Sequence, residues 1–222
     1  MKFSLKLLAA AVALTAASAA SAQTAGNWAI QVGANQITPK VESGDISAPA
    51  LPHTKGDVGK DTEPVLIFNY AVTDNIQAEF ALGMPYKHEL VGAGAIAGTG
   101  KVGTVEALPP TLFAQYHFFD ANARVRPYLG LGATYARFQK ATGSGQLTAI
   151  TNPGGPPTTF KIDNKFTYTM QIGVSVALTD KYFLDMSTTK TKLKTMVHFS
   201  TGQIQDMKLD PVSIKLAIGY KF

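Results

Sequence analysis

Residues 76–88 read IQAEFALGMPYKH. Ile76, Ala78, Phe80, Leu82, Met84 and Tyr86 occupy one set of alternate positions. Gln77, Glu79, Ala81, Gly83, Pro85 and Lys87 occupy the other. A period of two sends successive side chains to opposite faces of a strand. The same alternation returns at 28–40, 64–73, 110–118, 125–138, 166–178, 182–193 and 209–222, so eight strands are predicted. In each, one face is almost wholly apolar while the other mixes small, polar and charged residues.

The connections alternate in length. Residues 73–75, 119–124 and 179–181 are short and rich in Asp and Asn, which suit tight turns. Residues 40–63, 88–108, 140–163 and 194–210 are long and carry much Gly, Pro, Ser and Thr. Short turns at one end and long loops at the other are the layout of outer-membrane barrels. Past the N-terminus no segment approaches about 18 uninterrupted apolar residues, so a spanning chain must close its strands into a barrel. The pattern therefore predicts an all-β fold: an eight-stranded antiparallel up-and-down transmembrane β-barrel whose long loops are extracellular.

Aromatic residues on the apolar faces gather near strand ends. Trp28, Tyr70, Phe118, Tyr182, Tyr220 and Phe222 would form one ring, and Tyr86, Tyr135 and Phe166 the other. Two such girdles are expected where amphipathic rings meet the lipid boundary. A soluble ligand-binding barrel would point the apolar faces inward, and the girdles and sorted loops argue against it.

Composition sharpens this picture. The chain of 222 residues is 45% hydrophobic and 16% charged, against a norm of roughly 25% charged. It has no Cys, which excludes disulfides and thiolate metal sites. Residues 1–22 carry two lysines, an apolar run and an Ala-Ser-Ala cleavage signal, and are predicted to be a cleaved signal peptide preceding a barrel over 23–222. Losing Lys2 and Lys6 leaves 18 basic against 15 acidic residues, or +3, too little to argue for nucleic acid. GAGAIAGTG at 92–100 puts its third Gly one place late for a nucleotide loop and lacks the strand–helix context. His53, His88, His117 and His198 show no ligand spacing, and no nucleophile stands with a base and its orienting group. Neither a catalytic residue, a metal nor a cofactor is predicted.

With the mixed faces inward, the lumen divides by height. Ile37, Val65, Ile67, Phe113 and Phe138 make an apolar mouth, a candidate site for a hydrophobic ligand. Gln77, Glu79, Gln115, His117, Asp185 and Lys215 form a polar floor with Gln31, Asn69 and Gln171. Charges in so narrow an interior must be paired, and Lys215 is the expected partner of Glu79 and Asp185. Such a floor plugs the barrel, so a ligand must leave sideways through a gap between strands. Pro39 and Pro85 lie near outer strand ends, lack an amide hydrogen, and are candidates for it.

Five stretches carry a specific likeness: GNWAIQVGANQITP (26–39), VTDNIQAEFALGMPYKHEL (72–90), LPPTLFAQYHF (108–118), RPYLGLGATYARF (126–138) and DPVSIKLAIGYKF (210–222). Together they resemble the OmpW family of small outer-membrane barrels. The resemblance implies a narrow tunnel that carries small hydrophobic compounds across the outer membrane. Members of the family are also implicated in alkane uptake, colicin reception and stress responses. The ending with Tyr220 and Phe222 resembles the signal by which barrel-assembly machinery recognises its clients. The expected partners are thus outer-membrane lipids, that machinery and a small hydrophobic substrate. The alternative is a structural or surface-interaction barrel with a closed lumen, its long loops binding a partner.

Overall fold

The computed structural model describes residues 25–50 and 52–222, and the expected signal peptide lies outside them. In chain order the described elements are β1 (Trp28–Thr38), β2 (Glu42–Ser43), β3 (Thr54–Val58), β4 (Asp61–Ala71), β5 (Ile76–Gly83), β6 (Tyr86–Gly94), β7 (Lys101–Leu108) and β8 (Thr111–His117). They continue with β9 (Val125–Gly143), α1 (Gly145–Thr151), β10 (Phe160–Ile162), β11 (Lys165–Ala177), β12 (Tyr182–Thr191), β13 (Lys194–Phe199), β14 (Ile204–Lys208) and β15 (Val212–Lys221). Eight of them close a ring in the order β1-β4-β5-β8-β9-β11-β12-β15, every neighbour antiparallel. The seam is β15 on β1, paired from Ala29↔Lys221 to Thr38↔Val212. Closure satisfies the backbone of both strands and removes the open edge that lipid could not tolerate.

The ring is apolar outside and polar inside. Val32, Leu112, Leu131, Ile172, Met186 and Ile214 are each more than half exposed, whereas Gln31, Gln171, Asp185 and Lys215 are at most 6% exposed. A belt of exposed large hydrophobics around a whole molecule is far beyond what water-soluble surfaces carry, and fits lipid as the surrounding solvent. Rings pack at one end of the belt, with Trp28 4.9 Å from Tyr70 and Tyr182 5.2 Å from Tyr220. At the other end Tyr135 lies 4.6 Å from Phe166.

Tyr86 corrects the expected outer girdle. It is 2% exposed and points inward. The alternation that puts Ile76, Phe80 and Met84 outside reverses at Pro85, after which Tyr86 and His88 are buried and Lys87 and Glu89 are exposed. Two strands, β5 and β6, therefore stand where one was read, and the break between them inverts the faces.

Above the belt the ring continues as a wall. The segments read as long connections contain β2, β3, β7, β10, β13, β14, α1 and most of β6. On one side β3, β6 and β7 extend the ring sheet from the outer part of β9; on the other, β10, β13, β14 and β2 form a second sheet. Their inner faces enclose a conventional apolar cluster that includes Ile46, Val102, Leu147, Phe160, Val197, Phe199, Met207 and Leu209. Ser144 caps α1, its Oγ accepting from the Leu147 amide, and so seats Leu147 in that cluster. The basic stretch 190–194 is the joint between β12 and β13. There Asp210 accepts from the Leu193 amide (3.0 Å) and from Lys192 Nζ (3.1 Å). These outer strands are short and face water, so they carry no lipid-facing apolar stripe to announce them.

Candidate transport path

The floor is one connected network. Lys215 Nζ lies 3.2 Å from Glu79 Oε2 and 3.1 Å from Asp185 Oδ1. Glu79 also accepts from Gln171 Nε2 (3.1 Å) and Asn69 Nδ2 (3.3 Å), and Asn69 Oδ1 accepts from Gln31 (2.7 Å). Tyr128 donates its hydroxyl to Asp185 (3.0 Å). Gln115 donates to Gln171 (2.8 Å) and its own Oε1 lies 3.1 Å from His117 Nε2. Because Gln115 Oε1 can only accept, that contact makes His117 the Nε2–H tautomer. Gln77 is buried in the same layer, in register with Gln115. One lysine thus faces two carboxylates, with neutral donors meeting their remaining lone pairs. Paired and hydrogen-bonded in this way, charges can be held out of water.

The side chains of the layer fit because glycines face them. A Cβ on Gly132 would stand 2.5 Å from the Phe113 ring. Gly130 and Gly132 therefore give β9 the clearance that lets a lumen this narrow hold aromatic and amide side chains.

Above the floor are two adjoining chambers. The outer one encloses about 120 Å³ and is lined mostly by apolar residues, among them Ile37, Pro39, Val105, Phe138, Leu193 and Met207. The inner one, about 90 Å³, has Val65, Ile67 and Phe113 on its wall and Glu79 and Lys215 at its base. Ile37, Pro109, Thr134 and Thr191 line both. The five apolar residues read as a single mouth are thus divided: Phe138 belongs to the outer chamber, Val65, Ile67 and Phe113 to the inner, and Ile37 to the boundary. For scale, an apolar cavity of roughly 150 Å³ accepts benzene.

The wall beside the inner chamber is interrupted. β5 pairs with β8 as far as Ala81↔Thr111. The partnership resumes at Tyr86↔Ala107 between β6 and β7. Residues 82–85 face 108–110 with no rung between them among the described pairings. Each lip is held from behind, as Met84 N donates to Pro64 O (3.2 Å) and Tyr135 N donates to Pro110 O (3.0 Å). Pro85 and Pro109 have no amide hydrogen, so these lips cannot zip fully. Leu82, Gly83, Tyr86 and Pro109 all line the inner chamber, so the interruption opens off it. Inside, Tyr86 Oη accepts from Asn35 Nδ2 (2.8 Å). Pro39 does not share this role. β1 stays paired on both sides to its outer end, and Pro39 follows it as a terminator on the wall of the outer chamber.

A family model described as the OmpW family matches residues 24–222. The chain belongs to the OmpW family. Outer membrane protein W of Salmonella typhi is 32% identical over 225 residues, covering 98% of this chain and 99% of its own. Outer membrane protein AlkL of Ectopseudomonas oleovorans is 26% identical, covering 89% and 83%. The crystal structure of OprG from Pseudomonas aeruginosa matches with a TM-score of 0.82 at 24% identity, covering 91% and 99%, which establishes the shared fold. This OmpW-family chain is accordingly an outer-membrane β-barrel of the Gram-negative envelope.

Three features of the lumen and its wall are not legible in the sequence. Pro109 and Pro110 stand in plain view in LPPTL, but Pro110 reads as the first residue of a strand and Pro109 carries no reading of its own. Tyr128 lies on the mixed face of its strand, where a tyrosine gives no sign that its hydroxyl is pledged to Asp185. A period of two carried straight through Pro85 places Tyr86 outside, whereas the structure buries it.

Proposed function

We propose that this OmpW-family barrel is a passive conduit for small hydrophobic molecules, which enter the outer chamber and leave sideways into the bilayer between β5–β6 and β7–β8. The observation that carries the reading is the interruption between residues 82–85 and 108–110, opening off the inner chamber, which has Val65, Ile67 and Phe113 on one wall and an ion-paired floor. Straight passage would mean prising apart a buried Lys–carboxylate cluster, at several kcal/mol per uncompensated ion. Sideways passage asks for much less. Each CH2 moved out of water gains about 0.8 kcal/mol, and the arc of Ile37, Val65 and Ile67 shelters hydrocarbon from water as the bilayer does, so the final transfer needs no energy source. The wall of strands above the belt favours a second reading, a barrel whose outer sheets dock a partner and whose lumen stays closed.

Uptake of a hydrophobic fluorescent probe into proteoliposomes separates the two. Phe138→Asn and Phe113→Asn put an amide into the two chambers, and each is expected to slow uptake roughly tenfold. Rates unchanged in both variants refute the chamber route, and a wild-type protein that moves no probe favours the docking barrel.

A further inference from the structure

Between the two chambers the lumen wall is half hydroxyl and half apolar. Thr111, Thr134, Thr169 and Thr191 form a chain across β8, β9, β11 and β12, with successive Oγ1 atoms 2.9, 2.6 and 2.8 Å apart. Thr189 and Ser213 extend the arc to β15, their hydroxyls 2.6 Å apart. The opposite arc, on β1, β4 and β5, is Ile37, Val65, Ile67 and Ala81. The strand interruption lies at one seam between the arcs, next to Thr111.

The chain has a direction. A threonine hydroxyl has one proton to donate and two lone pairs. Thr111 donates to Pro109 O (3.1 Å), so Thr134 must donate to Thr111. Thr169 must then donate to Thr134, and Thr191 to Thr169. Every proton points toward the gap. At the far end Thr191 Oγ1 is left as an acceptor, and among the described residues no donor reaches it. The Thr189–Ser213 pair, two residues along β12, uses one of its two protons and has one to spare. Thr191, Thr189 and Ser213 line both chambers, so an acceptor and a donor face the path together.

We infer that this waist favours apolar molecules bearing a single hydroxyl, an aliphatic alcohol or a phenol, whose O–H donates to Thr191 Oγ1 while its hydrocarbon body lies on the arc of Ile37, Val65 and Ile67. The ligand oxygen can in turn take the spare proton of the Thr189–Ser213 pair. A pure hydrocarbon fits the same space but leaves both groups unmatched. This rests on the proposed passage and names the substrate class within it.

The test is a methyl-labelled NMR titration of the barrel in lipid nanodiscs with phenol and with benzene. Both ligands should shift Val105 and Leu193 in the outer chamber, and phenol should shift Thr169 and Thr191 more strongly than benzene does. Thr191→Val keeps the shape and removes the acceptor. It should weaken phenol about five- to tenfold relative to benzene, and Thr191→Ser should restore it. Equal phenol affinity in Thr191→Val and wild type, or identical shifts from the two ligands, overturns the hydroxyl preference and leaves the passage standing. If neither ligand shifts any chamber methyl, both fall.

Discussion

Lys215 is the residue on which the floor depends. Among the described residues it is the one cation paired with both Glu79 and Asp185, and all three are nearly sealed from solvent. Lys215→Met keeps the length of the side chain and strips its charge, leaving two buried carboxylates facing each other. Breaking a buried pair in this way costs about 3–5 kcal/mol. The variant is expected to unfold from micelles at a correspondingly lower urea concentration, and an unchanged midpoint would show that the cluster is better solvated than its burial implies. This cluster was legible in the sequence, because charges on the inward face of a narrow barrel have nowhere to go but to one another. The division of the apolar residues was less so. Val65, Ile67 and Phe113 have the same chemistry as Phe138, and only strand register sets their height.

At the scale of elements, the break between β5 and β6 decides both the gap and the phase of the outer wall. Period-two reading located all eight ring strands, since a lipid-facing stripe is a strong signal. It failed where the wall leaves lipid, because there the outer face turns polar and the strands shorten to as few as two residues. His88 shows what this wall buries. Its Nδ1 lies 2.7 Å from Gly59 O, and burial holds the ring below the usual histidine range, the Gly59 contact and the Asp61 charge only partly opposing it. A histidine depressed in the fold resists protonation that the opened wall accepts. Its contribution is full above the ordinary pKa of 6.5 and shrinks as pH falls below it. Amides of the β3–β6 ladder, such as Leu90, should therefore exchange faster at pH 5.5 than at pH 7.5 once intrinsic rates are removed. His88→Gln should flatten that difference, and a slope that persists in the variant would assign it to other groups.

At the scale of the molecule, three layers divide the work. A lipid belt surrounds the barrel, an ion-paired cluster fills the lower lumen, and a folded outer wall stands above a chamber beside which strand pairing is interrupted at Pro85 and Pro109. The central claim is that this interruption is the exit. Pro85→Ala with Pro109→Ala returns two amide hydrogens to the lips, one on each side, so that the missing rungs can form. The decisive measurement is probe uptake by proteoliposomes carrying this double variant, with hydrogen exchange at residues 82–85 and 108–110 to establish that the lips have zipped. The account predicts slowed exchange there and uptake reduced to the level of protein-free liposomes. Protected lips with uptake at the wild-type rate would contradict it.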